Sequence, residues 1–147
     1  MGILRGVSEA HLTARLIREF HEAQNRFYAG GDQEQVRAML AEDVAWHVPG
    51  RSAIAGDYRG RDEVLRHFVA RRELAHATFR IVVRDVLAED DRAVIFAGGQ
   101  VQRAGQTSAW ETVAVFRIAD DTIAECWVLP YDQYSFDEIW SRAAGPR

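Results

Sequence analysis

At Thr78 the hydrophobic period changes, and that change constrains the fold more than any other feature. Before it, apolar residues recur at helical spacing. After it they alternate, and short polar turns break the alternation at Glu89-Asp90-Asp91, Ala104-Gly105-Gln106 and Ala119-Asp120-Asp121. Period two over four consecutive runs predicts strands at 78–88, 92–103, 107–118 and 121–130. Connections this short join antiparallel neighbours, so the second half is a meander.

The first half reads as helices. Leu12, Leu16, Phe20, Ala23 and Phe27 form one apolar stripe on a long helix that opens at Ser8-Glu9 and closes at Gly30-Gly31. Residues 1–7 are expected to be a loose arm. Asp32 caps a short second helix with Val36, Met39 and Leu40. Val44, Trp46 and Val48 alternate as a first strand that Pro49-Gly50 stops. Residues 53–59 form a short extended piece. Arg61 to about Leu74 is a third helix with Val64, Leu65 and Phe68 on its buried face, and a last helix spans about Ser135 to Arg142, with 143–147 a loose end. Helices followed by a meander give an α+β class. At 147 residues, with no interdomain linker, one domain over 1–147 is expected.

Composition narrows the function. A net charge of −4 and the alternation of arginines with acids argue against a nucleic-acid partner. No signal-like or membrane-length apolar run occurs, and Cys126 is the single cysteine, so a soluble cytoplasmic protein without membrane partners is expected. His21, His67 and His76 have no ligand spacing and no HExxH or cysteine pair exists, so neither a metal nor a cofactor is expected. Gly98-Gly99, in mid-strand, reads as a bulge or bend.

The segments Phe27-Tyr28-Ala29-Gly30-Gly31-Asp32, Ala41-Glu42-Asp43, Trp46-His47-Val48-Pro49-Gly50, Gly56 to Gly60 and Ile123-Ala124-Glu125-Cys126-Trp127 with Asp132 resemble the SnoaL-like polyketide cyclases. More broadly, the chain resembles the nuclear transport factor 2 and ketosteroid isomerase superfamily. The resemblance runs from about Leu12 to Trp140. It implies an NTF2-like cone: three helices from the N-terminal half packed on a strongly curved antiparallel sheet that encloses a pocket. It also implies a homodimer paired through the outer sheet face, where Val113, Val115 and either Trp127 or Leu129 are placed.

Carried over position by position, the isomerases' aspartate base becomes His47, their oxyanion-hole tyrosine becomes Gln24 and their second acid becomes Ala114. Two of three features are missing, which argues against a steroid isomerase. The late-strand acid of the cyclases corresponds to Asp132. An imidazole titrates near neutral pH and suits proton transfer, and the resemblance turns His47 inward. His47 and Asp132 are therefore the expected catalytic pair. Gln24, Tyr58 and Thr112 are candidates to hold a substrate oxygen, and Trp110 and Trp127 to wall an apolar pocket, with Phe96 and Phe116 also core or wall. Cys126 reads as a small buried hydrophobe.

The reading that follows is a cofactor-free enzyme performing cyclisation, isomerisation or dehydration on a small hydrophobic carbonyl compound. The alternatives are a non-catalytic binder of a small hydrophobic molecule and a purely structural dimerisation domain. A cavity shared by His47 and Asp132 favours the enzyme, and a cavity filled by its own side chains favours the last.

Overall fold

The computed structural model describes the backbone of residues 2–144 and the side chains of residues 9–141. The elements run α1 (Gly2–Tyr28), α2 (Glu34–Met39), β1 (Leu40–Val48), β2 (Gly56–Arg59), α3 (Arg61–Leu74), β3 (Arg80–Ala88), β4 (Arg92–Arg103), β5 (Gln106–Ala119), β6 (Thr122–Pro130) and α4 (Gln133–Ala144). Helices pack on a six-stranded sheet of order β2-β1-β6-β5-β4-β3, the expected α+β cone. The sheet is mixed rather than wholly antiparallel: β1 and β6 pair parallel, with Trp46 opposite Cys126 and His47 opposite Trp127. Nothing local dictates that pairing, because β2, α3 and the three strands β3, β4 and β5 separate the two segments.

The hairpins are local. Ala104 and Gly105 have φ of 52° and 77°, and Asp120 and Asp121 have 51° and 61°. Two consecutive positive φ values are the signature of the tight turn whose twist matches the flanking strands. Breaks in register bend the sheet. One falls between Val83 and Asp85 on β3, and another between Arg117 and Ile118 where β5 meets β6. The bulge expected at Gly98-Gly99 is thus across the ladder on β3. Gly98 and Gly99 themselves pair in unbroken register with Glu111 and Trp110.

The long helix differs from its sequence reading in two ways. It extends back to Gly2, so residues 2–7 are helical rather than a loose arm and Ser8 lies inside α1. Its buried face runs through Thr13, Ile17, Phe20, His21, Gln24, Phe27 and Tyr28, while Leu12 is 52% exposed. Polar residues on that face displaced the stripe that hydropathy picks out. Thr13 is satisfied there because its hydroxyl donates to the Asp90 carbonyl at 2.7 Å. Gly30, at φ 117°, ends α1 in a conformation that glycine adopts without steric cost. The Asp32 carboxylate then accepts the Glu34 amide at 3.0 Å at the entry to α2.

The core lies between the sheet and α1, α3 and α4. Phe20, Trp46, Phe68 and Phe116 meet there with ring centroids 4.8–6.4 Å apart. Phe20 and Phe68 are wholly buried, each worth about 1.5–3 kcal/mol of transfer free energy. α4 begins two residues before the expected Ser135 and ends at Ala144, so the expected loose end is helical as far as that residue. Residues 145–147 lie outside the described residues. The Gln133 amide reaches the Pro49 carbonyl and Asp137 accepts the Arg51 amide, which ties α4 to the loop after β1.

Candidate functional site

Between the sheet and the helices lies a cavity of about 50 Å³. At roughly 10–15 Å³ per water it has room for about three to five. Its walls are the inward-facing residues of β5 and β6, namely Trp110, Thr112, Ala114, Phe116, Cys126 and Val128, with α4 closing one side through Phe136 and Trp140. Besides the Thr112 hydroxyl, polar side chains come from the helices: His21 and Gln24 from α1, and Arg71 from α3.

Three of the residues expected to bind substrate therefore line the cavity: Gln24, Trp110 and Thr112. Gln24 is 1% exposed, and among the described residues neither atom of its amide makes a well-formed hydrogen bond, although the Tyr28 hydroxyl lies close by. Such orphaned buried groups are uncommon and call for an explanation. Trp110 lies flat over Gly99, where a β-carbon would come within 2.4 Å of the indole. Glycine at 99 is thus the seat of one cavity wall.

The remaining expected site residues are elsewhere. His47 does not face the cavity. Strand alternation puts Trp46 inside and His47 on the opposite, outer face, where its ring stacks on Trp127 with centroids 5.4 Å apart. Trp127 is therefore an outer-face residue too, between inward-facing Cys126 and Val128. Phe96, half-buried on β4, alternates with the inward-facing Ile95 and Ala97. The outer face also carries Val113, Val115 and Leu129, as expected. Asp132, which is exposed, caps α4: its carboxylate accepts the Ser135 amide at 3.2 Å and its carbonyl the Phe136 amide at 3.0 Å. The structure does not bring His47 and Asp132 together. Tyr58 donates its hydroxyl to the Ile54 carbonyl at 2.7 Å and stacks on His67 at 4.0 Å, so it pins the loop before β2 instead of lining the cavity.

His47 has a different setting from the one expected. Its Nδ1 is 2.6 Å from Asp57 and its Nε2 is 2.7 Å from Glu125, whose other oxygen accepts from Arg117 at 3.3 Å. Partial burial works against its charge, but the two carboxylates outweigh it and hold the imidazole above its ordinary value. The hydrogen bond from His47, with Arg117 beside it, lowers Glu125 in turn. This is an ion-paired cluster on the outer face.

Two residues of the cavity were missed from sequence. In the sequence, His21 enters only through its lack of metal-ligand spacing. Its Nδ1–H donates to the Ile17 carbonyl at 2.8 Å, which leaves Nε2 as the unprotonated nitrogen of a ring lining the cavity. Burial, with the Arg71 charge as a lesser cause, lowers its pKa to about 4, so the ring is neutral at pH 7. Arg71 is one of the arginines whose alternation with acids reads as mixed surface charge. It falls on the Val64–Phe68 stripe of α3, at the i+7 position, and that periodicity was the available signal. It is 5% exposed, and its guanidinium donates to the Tyr28 hydroxyl. The Cys126 thiol is pushed well up by burial and is inert as a nucleophile. Among the described residues, no group of three His, Cys, Asp or Glu side chains could hold a metal ion, and no helix is long and apolar enough to cross a membrane.

Comparison with known proteins places this arrangement in a family. Residues 17–126 match the SnoaL-like domain family. The chain is 30% identical to Bal32a, from a soil-derived mobile gene cassette, with 90% of this chain and 98% of that one aligned at a TM-score of 0.82. An NTF2-like protein from Anabaena variabilis shares the fold at a TM-score of 0.71 and 17% identity, over 82% of this chain and 90% of that one. The uncharacterised protein Rv0034 of Mycobacterium tuberculosis is 27% identical over 115 residues, which is 78% of this chain and 88% of the relative. The chain belongs to the SnoaL-like domain family, within the NTF2-like and ketosteroid isomerase-like fold group.

Proposed function

We propose that this protein is a cofactor-free acid/base catalyst that moves a proton next to the carbonyl of a small, largely apolar metabolite, with His21 as the proton carrier. One observation carries the reading. The Ile17 carbonyl fixes the tautomer of a buried imidazole so that a bare nitrogen belongs to the wall of an apolar cavity. A neutral imidazole with one nitrogen held as donor has its other nitrogen available to accept a proton. Gln24 and Thr112 stand on the same cavity and would donate to the carbonyl oxygen as negative charge develops on it. Trp110, Phe136 and Trp140 keep water out, which strengthens both interactions.

The proton carrier assigned here replaces His47, whose ring lies on the other side of the sheet. The family includes isomerases and cyclases, which fits proton transfer as the shared step.

The test uses a minimal carbonyl probe. Butanone in D₂O is followed by NMR for exchange of its α-protons. The wild type should accelerate exchange, and His21→Gln should lose that acceleration by about 10²–10⁴-fold, the usual contribution of a positioned acid/base group. A second reading, a protein that only holds a small apolar molecule, is favoured by the predominantly apolar wall. It requires butanone to bind without accelerated exchange, and that result would refute catalysis by His21.

A further inference from the structure

Arg71 is a cation buried to 5% exposure, and none of the described residues supplies it a counter-charge: no aspartate or glutamate among them forms an ion pair with it. Tyr28, which accepts its hydrogen bond, is held protonated because burial raises that hydroxyl to about 12. The faces of Phe68, Phe79, Tyr28 and Trp46 lie 5.0, 5.2, 5.3 and 6.0 Å from the guanidinium carbon. Such faces partly offset the desolvation of a cation but carry no net charge. Nε of Arg71 is buried with no partner. Gln24 lines the same cavity, and neither of its amide atoms makes a well-formed hydrogen bond among the described residues. An uncompensated charge and unpaired donors around one hollow cost folding free energy. The complex that relieves them puts a monoanion in the cavity.

We infer that Arg71 anchors a carboxylate, and that the cavity takes a small monocarboxylic acid whose apolar body lies against Trp110 and Val128. A planar guanidinium presents a fork of N–H donors that matches the two oxygens of a carboxylate, and the Gln24 amide can donate to one of those oxygens. One arginine balances one negative charge, and the rest of the wall is apolar. Both features favour a monocarboxylate over the more highly charged phosphate. The cavity sets the size: a hole of about 150 Å³ takes benzene, and 50 Å³ admits a chain of a few carbons. The inference deepens the proposed function, since it names the substrate class of the same site. The substrate becomes a short acid that also bears a carbonyl group. Carboxylate binding would also offset the Arg71 charge that holds His21 down, making the imidazole a better base once substrate is in place.

The test is calorimetric titration of the full chain with butyrate, butyramide and inorganic phosphate. Butyrate should bind at least tenfold more tightly than butyramide, with phosphate weaker still. Arg71→Met should lose at least tenfold in butyrate affinity while melting at or above the wild-type temperature, and Arg71→Lys should recover part of the affinity. Should Arg71→Met not fold, the lysine variant and the His21 ring resonances, which butyrate should shift and butyramide should not, read the same contact. Equal affinity for butyrate and butyramide, phosphate binding as tight as butyrate, or butyrate affinity unchanged in the Arg71 variants would overturn the assignment. Butyrate binding without butanone exchange leaves the anchor standing and refutes proton transfer. Exchange without any preference for butyrate does the reverse.

Discussion

The two adjacent glycines of β4 are predicted to respond oppositely to the same substitution. Both have ordinary extended backbone, so alanine meets no conformational strain at either site. A β-carbon at Gly99 would lie 2.4, 2.5 and 2.8 Å from the Cζ2, Cε2 and Nε1 atoms of Trp110. That ring is wedged against Phe79, Phe136 and Trp140 at centroid distances of 5.6–5.7 Å and cannot simply rotate away. Overpacking of this kind costs about 1–3 kcal/mol. In a chain of this size each kcal/mol moves the melting midpoint by about 2–4 °C, so Gly99→Ala should melt roughly 4–8 °C lower at the middle of that range. At Gly98 the nearest atoms are the ends of flexible side chains, Arg84 Nη2 at 2.6 Å and Glu111 Oε2 at 3.1 Å, on the outer face. Those can shift, and alanine lowers the entropy of the unfolded chain by an amount worth about 0.4–1 kcal/mol. Gly98→Ala should therefore melt at or slightly above the wild type. Thermal unfolding followed by circular dichroism measures both. If the two variants melt within a degree of each other, Trp110 does not rest on Gly99 and the cavity wall has been misplaced.

The other predictions concern charge and assembly. His21 has an ordinary value of 6.5 when unfolded and about 4 when folded. Its neutral burial stabilises fully above pH 6.5 and loses about 3 kcal/mol as pH falls to 4; urea titrations of His21→Phe should lack this loss. His47, raised by its carboxylate partners, contributes stability that is complete below pH 6.5 and disappears as pH rises through its folded value. Glu125, lowered by His47, contributes above pH 4.5 and loses it as pH falls through its folded value. The wild type should therefore exceed His47→Gln in stability most between pH 4.5 and 6.5, and an advantage that grows toward pH 8 would be the wrong sign. A second copy of the chain covering Val113, Val115, Trp127 and Leu129 should give a particle of twice 16.6 kDa in light scattering, and Trp127→Glu should return it to one chain.

Much of the architecture was legible in residues 78–130, because alternation, short turns and strand length are local properties. Turn chemistry at Ala104-Gly105 and Asp120-Asp121 suffices to pair β4 with β5 and β5 with β6. The parallel pairing of β1 with β6 was not legible, since no local feature joins segments nearly eighty residues apart. Alternation through Val44, Trp46 and Val48 points His47 outward, and in the fold this strand parity prevails over the position that the resemblance implies.

Sequence alone determined the class of fold, the stopping points of most elements and the inward faces of Trp110, Thr112 and Phe116, because backbone periodicity dictates which side chains share a surface. Only the tertiary structure decided what that surface encloses. It buried Arg71 with no ion-pair partner among the described residues, left the Gln24 amide without a well-formed hydrogen bond there and fixed the tautomer of His21. These are facts about distance between α1, α3 and the sheet. The energy of a charge or an orphaned amide depends on what surrounds it in space, and no spacing along the chain encodes that.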